Sequence, residues 1–320
     1  MSQNILVGDI GGTSARFGLA SAGVDGGGIS HAKKLKGDDH AHFADAMAAF
    51  LETCPEIPEH ALLAVAGPVS QGEVRLTNRE WCISVAELKS RFGFSSVTLV
   101  NDFAAMARAV PELPDENFVT LLTGQAEEGA PILVAGPGTG LGMATLLPAN
   151  NGWRVLGGEG GHTAYAPRSA EDVGIANILR TEHGFVSHEL VASGMGLEPV
   201  HRAMCKLHGK DFEALEPALM LELADKGDYI CQRVCALRSR AVMGFAGDMA
   251  LANGARGGVV LAGGVTARLL PWLNQPEALS YFLERGPRSD YMLSIPVRAM
   301  QGEFVALTGA AALFRGGVSR

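Results

Sequence analysis

The chain has 320 residues, 47% of them hydrophobic and 19% charged, enough to bury a sizeable core and to divide into two domains. A formal net charge of −8 excludes nucleic acid and an anionic membrane as bulk partners, since both demand a concentrated basic surface. Any anionic ligand must therefore be held by local devices.

The start, Met1-Ser2-Gln3-Asn4 before Ile5-Leu6-Val7, has neither a basic segment nor an apolar run of signal-peptide length, so a cytoplasmic location is expected. The five cysteines are odd in number and scattered, which suits reduced, buried thiols. Cys231 and Cys235 lie one helical turn apart, but no further Cys or His completes a zinc set.

Leu6 to Ala20 places apolar runs on both sides of Gly11-Gly12 and reads as a hairpin whose turn can adopt positive φ. Such a turn offers backbone N–H groups and the Thr13 hydroxyl to a phosphate, with Asp9 placed to hold a hydrated Mg²⁺. Residues 26–39 read as a surface hairpin or loop, Ala41 to Leu51 as a helix, and Ala61 to Ala66 as a buried strand ending at Gly67-Pro68. In Leu76-Thr77-Asn78-Arg79-Glu80-Trp81, Asn78 is a candidate ligand contact, with an Asx turn as the alternative. Val85 to Phe92 is a predicted helix.

The stretch Ser96 to Met106 organises the chain. Val97 to Val100 is a β-branched buried strand, the run from Phe103 is a helix, and Asn101-Asp102 stand at the junction. A capped helix explains this pair by itself, but a carboxylate at the carboxyl end of a strand is where open α/β sheets place ligands. Asp102 is the candidate general base.

Pro111 to Pro114 marks the expected domain boundary. Pro131 to Gly152 is an uncharged stretch, long enough to raise a membrane helix, but its central glycines favour two strands and a turn. There Ile132 to Ala135, the turn at Gly138-Thr139-Gly140, and Met143 to Leu146 repeat the design of the first hairpin. Two such hairpins imply an internally duplicated α/β architecture. Neither a Walker loop nor the dinucleotide fingerprint is present.

Gly157-Gly158-Glu159-Gly160-Gly161-His162 lets backbone approach a ligand while a carboxylate and an imidazole address adjacent hydroxyls, as a sugar requires. A core histidine is the alternative for His162, and helix-dipole compensation the alternative for Glu189 behind the Ser187 cap. Ala170 to Thr181 and Ala218 to Ala255 are predicted helices, the latter unbroken. Gly257 to Leu261 is a strand leading to Gly263-Gly264, where bare backbone can flank a nucleoside, and Ala306 to Phe314 is a small-residue helix.

Taken together, Gly8-Asp9-Ile10-Gly11-Gly12-Thr13, Leu76-Thr77-Asn78 with Trp81, Asn101-Asp102-Phe103, Gly136 to Gly142, Gly157 to His162 and Ala262-Gly263-Gly264 resemble the bacterial glucokinase family of the proteobacterial type, nearly end to end. Ser14 departs from the Asn found in many relatives. The resemblance implies an α/β, two-domain actin-like sugar-kinase fold (a duplicated ribonuclease H-like design) with an interdomain cleft. It implies a small domain at 1–110 completed by 301–320, a large one at 111–300, and a homodimer.

It also implies ATP-dependent phosphorylation of D-glucose at the 6-hydroxyl, with Mg²⁺. Asp102 would be the base; Asn101, Glu159, His162 and Glu189 would bind sugar hydroxyls, with Asn78 nearby. Gly8 to Thr13, Gly138 to Gly140 and Gly263-Gly264 would face ATP. Phosphoryl transfer leaves the protein mainly positioning and charge stabilisation to supply, and closure of the cleft would exclude water. The alternatives are a kinase for fructose, mannose or an N-acetylated sugar, and a non-catalytic sugar-responsive binding protein.

Overall fold

The computed structural model describes residues 4–21, 23, 28–67, 71–76, 79–150 and 152–317. The chain divides into two compact units. One takes the chain up to Asn117, Pro148–Gly157 and the chain from Gly302; the other takes Phe118–Leu147 and Gly158–Gln301. The boundary thus falls a few residues beyond the Pro111 to Pro114 stretch.

In the first unit the strands are β1 (Asn4–Ile10), β2 (Ser14–Ser21), β3 (Ser30–Lys36), β4 (His60–Val65), a short ribbon of β5 (Glu73–Arg75) and β6 (Cys82–Ser84), and β7 (Ser96–Asn101). The main sheet has the order β3-β2-β1-β4-β7, antiparallel from β3 to β1 and parallel from β1 to β7. Strand alternation divides its residues between two cores. Leu6, Ile10, Phe17 and Leu63 pack with Phe43, Phe50 and Trp81 on one face. Ile5, Val7, Leu62 and Ala64 pack with Ala105, Leu307 and Ala310 on the other.

Two helices, Asp102–Ala109 and Val305–Arg315, cover that second face. They approach so closely that a Cβ on Gly309 would stand 1.8 Å from the Ala105 carbonyl oxygen. Residues 28–36, read as loop or hairpin, include the edge strand β3, whose exposed Lys33, Lys34 and Lys36 blunt an open sheet edge.

A six-stranded sheet repeats the plan. Its strands are β8 (Phe118–Leu122), β9 (Ile132–Pro137), β10 (Leu141–Ala149), β11 (Gly152–Gly158), β12 (Gly258–Leu261) and β13 (Val297–Met300), ordered β11-β10-β9-β12-β13-β8, with β10 up to Leu147 and β8, β9, β12 and β13 in the second unit. The antiparallel β9–β10 hairpin and the parallel run β9-β12-β13 correspond to β1–β2 and β1-β4-β7. The uncharged 131–152 stretch is this hairpin, and among the described residues no helix is long and apolar enough to cross a membrane.

The helix expected from Ala218 to Ala255 is broken in two, Pro217–Asp225 and Tyr229–Asn253. Gly227 takes φ 93°, and Asp228 then caps the second helix by accepting the Cys231 N–H at 2.9 Å. Apolar content at helical spacing does not register a single left-handed residue.

An ion cluster centred on the buried Arg240 and Asp172 ties the helices of the second unit. Arg240 donates to Asp172 at 2.7 Å, Glu171 at 2.9 Å and Glu277 at 2.9 Å, and the Tyr281 hydroxyl donates to Asp172 at 2.5 Å. Burial pushes the Asp172 carboxyl up, but Tyr281 and Arg240 outweigh it and hold the group below its ordinary 3.8. Its stabilising contribution is therefore present above that value and lost as pH falls through the folded pKa.

Asp172→Asn should lower stability at neutral pH by about 3–5 kcal/mol, the usual loss when one partner of a buried pair goes. Its acid unfolding curve should also be flatter below the ordinary aspartate pKa. Gly309→Ala should cost about 1–3 kcal/mol through overpacking, read as a lower urea midpoint with unchanged slope.

Candidate functional site

In the first unit, the β1–β2 turn is closed by Gly11 N–H donating to the Ser14 carbonyl at 3.1 Å. Gly11 does not adopt positive φ, contrary to the expectation for this turn, and a Cβ there would meet only the Ser14 oxygen at 3.8 Å. The space above it is open. The Thr13 carbonyl accepts the Gly37 N–H at 3.0 Å, the Gly12 carbonyl accepts Arg79 Nε at 3.1 Å, and Thr13 itself is exposed. Arg79 also pairs with Asp38 at 2.5 Å and lies over the buried Trp81 ring. The only sequence signal for this arginine is a cation two residues before a tryptophan. Asn78 lies outside the described residues.

Two members of the Gly8 to Thr13 set are packing residues within the strand. Ile10 is fully buried, and a Cβ on Gly8 would meet Leu63 Cδ2 at 2.7 Å. Asp9 points to the opposite face and is buried, with Arg16, its cross-strand partner, at 3.1 Å. Burial raises its carboxyl pKa, and the Arg16 charge and hydrogen bond offset part of that rise.

At the end of β7, Asn101 is the N-cap of the Asp102–Ala109 helix, its Oδ1 accepting the N–H groups of Phe103 at 2.9 Å and Ala104 at 3.3 Å. Asp102 opens that helix half-buried, and its Oδ1 also accepts the Phe103 N–H at 2.9 Å. The capping reading of Asn101 is thus correct, and it leaves the amide nitrogen as the group that can donate to a ligand.

The second unit brings four separated motifs together. The β9–β10 turn is closed by Gly138 N–H to the Gly140 carbonyl at 2.9 Å. Its carbonyls at Gly138 and Thr139 accept the N–H groups of Gly194 at 2.9 Å and Met195 at 3.1 Å. Glu189 Oε2 accepts the Leu141 N–H at 2.8 Å and would stand 2.5 Å from a Cβ on Gly140. His162 Nε2 lies 3.8 Å from Glu189 Oε1.

His162 is 62% exposed, so it is not a core histidine. Glu159 is exposed at the start of the Gly160–His162 turn, where a Cβ on Gly161 would stand 2.1 Å from the Leu141 carbonyl oxygen. Gly263 takes φ 99° against the Pro137 carbonyl and caps the Gly264–Leu273 helix, and Gly264 has open space where a side chain would be. The Ser193 to Met195 segment went unmarked in the sequence because it acts through its backbone.

In the second unit the arrangement sets an open glycine turn beside a carboxylate and an imidazole, groups suited to adjacent hydroxyls. A family model described as Glucokinase matches residues 6–316. Glucokinase of Nitrobacter hamburgensis is 38% identical over 311 residues, covering 96% of this chain and 96% of that protein. Glucokinase of Chromobacterium violaceum is 36% identical over 313 residues, covering 96% and 88%. Among solved structures, a glucokinase from an Antarctic psychrotroph matches with TM-score 0.86 at 36% identity, over 99% of this chain and 100% of that one. The glucokinase of Balamuthia mandrillaris in complex with glucose has TM-score 0.82 at 22% identity, over 98% and 94%, a likeness of fold.

Proposed function

The chain belongs to the glucokinase family and phosphorylates glucose with ATP, and on that premise we propose that Asp102 is the general base for the sugar 6-hydroxyl. The observation that carries this is its place: the first residue of a helix at the carboxyl end of a parallel strand, beside an Asn whose oxygen is already committed to the cap. Asp102 accepts the hydroxyl proton as the oxygen attacks the γ-phosphorus, and ADP leaves. The Asn101 amide, Glu159, His162 and Glu189 hold the remaining hydroxyls; the Glu189–His162 pair reads two neighbouring positions with a fixed acceptor and a ring nitrogen. Asn78 joins this sugar set by its motif alone.

The turns Gly11 to Thr13 and Gly138 to Gly140 receive phosphate oxygens through backbone N–H groups, and Gly263-Gly264 flanks the nucleoside. Asp9 suits a Mg²⁺ that keeps its own waters: a single buried carboxylate, held by Arg16, in a strand apolar on either side of it from Ile5 onward. Such an ion would neutralise charge on the phosphates. A cytoplasmic homodimer completes the reading; the five cysteines, all free thiols, suit a reducing compartment.

Asp102→Asn should lower kcat by about 10²–10⁴-fold, the range general-base catalysis supplies, with glucose affinity changed only modestly. Near-normal turnover in that variant would remove Asp102 from the role. Glu159→Gln should weaken glucose binding about tenfold or more, as loss of a charged hydrogen bond does, in calorimetry with glucose alone. Turnover measured across glucose, fructose, mannose and N-acetylglucosamine should rank glucose first by kcat/KM.

A further inference from the structure

The helix Tyr229–Asn253 carries two buried arginines two residues apart, and they are treated differently. Arg240 sits among carboxylates, as described above. Arg238 is equally buried, yet has no carboxylate within ion-pair distance among the described residues. Its Nη2 donates to the carbonyl oxygens of Ala192 at 3.1 Å and Ser193 at 2.6 Å, and its Nε is buried without a partner. Burial holds its pKa down to about 10, so it remains a cation at neutral pH. A buried charge with no counter-ion is costly, and an apolar residue of that length would fill the space at less cost. Stability alone does not account for it.

What the guanidinium holds is the end of the short helix His188–Ala192 and the segment that follows. That helix carries Glu189, whose carboxylate grips the Leu141 amide. The following segment gives its Gly194 and Met195 N–H groups to the Gly138 and Thr139 carbonyls. It has no slack elsewhere. Ser193 N–H returns to the Glu189 carbonyl at 3.0 Å, its Oγ accepts the Gly196 N–H at 3.1 Å, and a Cβ on Gly196 would stand 2.2 Å from the Leu190 oxygen. One side chain on a rigid helix therefore sets, through two carbonyls, both the acid that meets the sugar and the turn that meets the triphosphate.

We propose that Arg238 is a positioning residue for phosphoryl transfer, holding Glu189 and the Gly138–Leu141 turn in one register through the Ala192 and Ser193 carbonyls. This rests on the assignment of Glu189 to the sugar and of the turn to ATP. A misplacement of about 1 Å in such a site can cost about a hundredfold in rate, so loss of the bridge should be read in kinetics and not only in melting.

The test compares Arg238→Met with Arg240→Met, at a temperature where both are folded. Arg238→Met should raise KM for glucose and for ATP about tenfold or more and speed hydrogen exchange at the Gly194, Met195 and Leu141 amides. Arg240→Met should lower Tm while leaving both KM values and those amides as they are. Arg238→Lys, with one donor group on a shorter reach, should fall between wild type and Met, and it carries the same comparison if Arg238→Met does not fold.

Unchanged exchange at those amides, unchanged KM values, or equal KM shifts in the Arg240 variant would each overturn the proposal. Glu189→Gln separates the two levels. If it leaves glucose affinity intact, the sugar assignment fails, while faster exchange and a raised KM for ATP in Arg238→Met still uphold the arginine's hold on the turn.

Discussion

The 2.8 Å contact between the Glu189 carboxylate and the Leu141 amide depends on position 140 having no side chain, since a Cβ there would lie 2.5 Å from the same carboxylate oxygen. Most of the second unit's chemistry follows from this close approach. The carboxylate is fixed by a backbone donor, so its other oxygen and the nearby His162 ring remain for a ligand. The turn is held from its carbonyl side by Gly194 and Met195, which directs its own amides elsewhere. Glycines at 136, 140, 161, 194, 196 and 263 each stand where a Cβ would strike main chain or the Glu189 carboxylate, so their role is steric. A site made from backbone needs backbones close together, and only residues without Cβ allow it.

The first unit solves the same problem with different means. Its hairpin occupies the same place in the sheet order, but its turn is braced from outside by Arg79 and Gly37, and its carboxylate at Asp9 is paired across the ladder with Arg16. Both units hang a glycine turn on an antiparallel pair and place a loop after a parallel strand. The duplicated scaffold supplies position, and the loops supply chemistry. In an acidic chain the cations at the first hairpin, Arg79 and Arg16, serve as braces, one on the Gly12 carbonyl and one on Asp9.

Much of this was legible beforehand because it is local. β-branched runs, glycine turns and the Asn-Asp junction specify strands, hairpins and a capped helix within a few residues of each other, and both hairpins lie where the patterning put them. The failures were also local in kind. A single left-handed residue at Gly227 divided an otherwise continuous helical pattern, and Gly8 and Ile10, grouped with a ligand-facing motif, point into a core because strand alternation assigns them there.

The sequence alone determined the duplicated α/β plan, the two glycine turns and the candidate base at a strand end, since each is encoded by side-chain type over a few positions. Only the tertiary structure decided that Glu189 belongs with His162 and Gly140, that Asp9 is answered by Arg16, and that Arg238 is spent on two carbonyls instead of a carboxylate. Apart from Asp9 and Arg16, which the hairpin register sets opposite each other, those pairings join residues far apart in the chain through contacts that depend on burial and on backbone donors and acceptors. Backbone groups are the same at every residue, so no side-chain pattern announces which of them will meet.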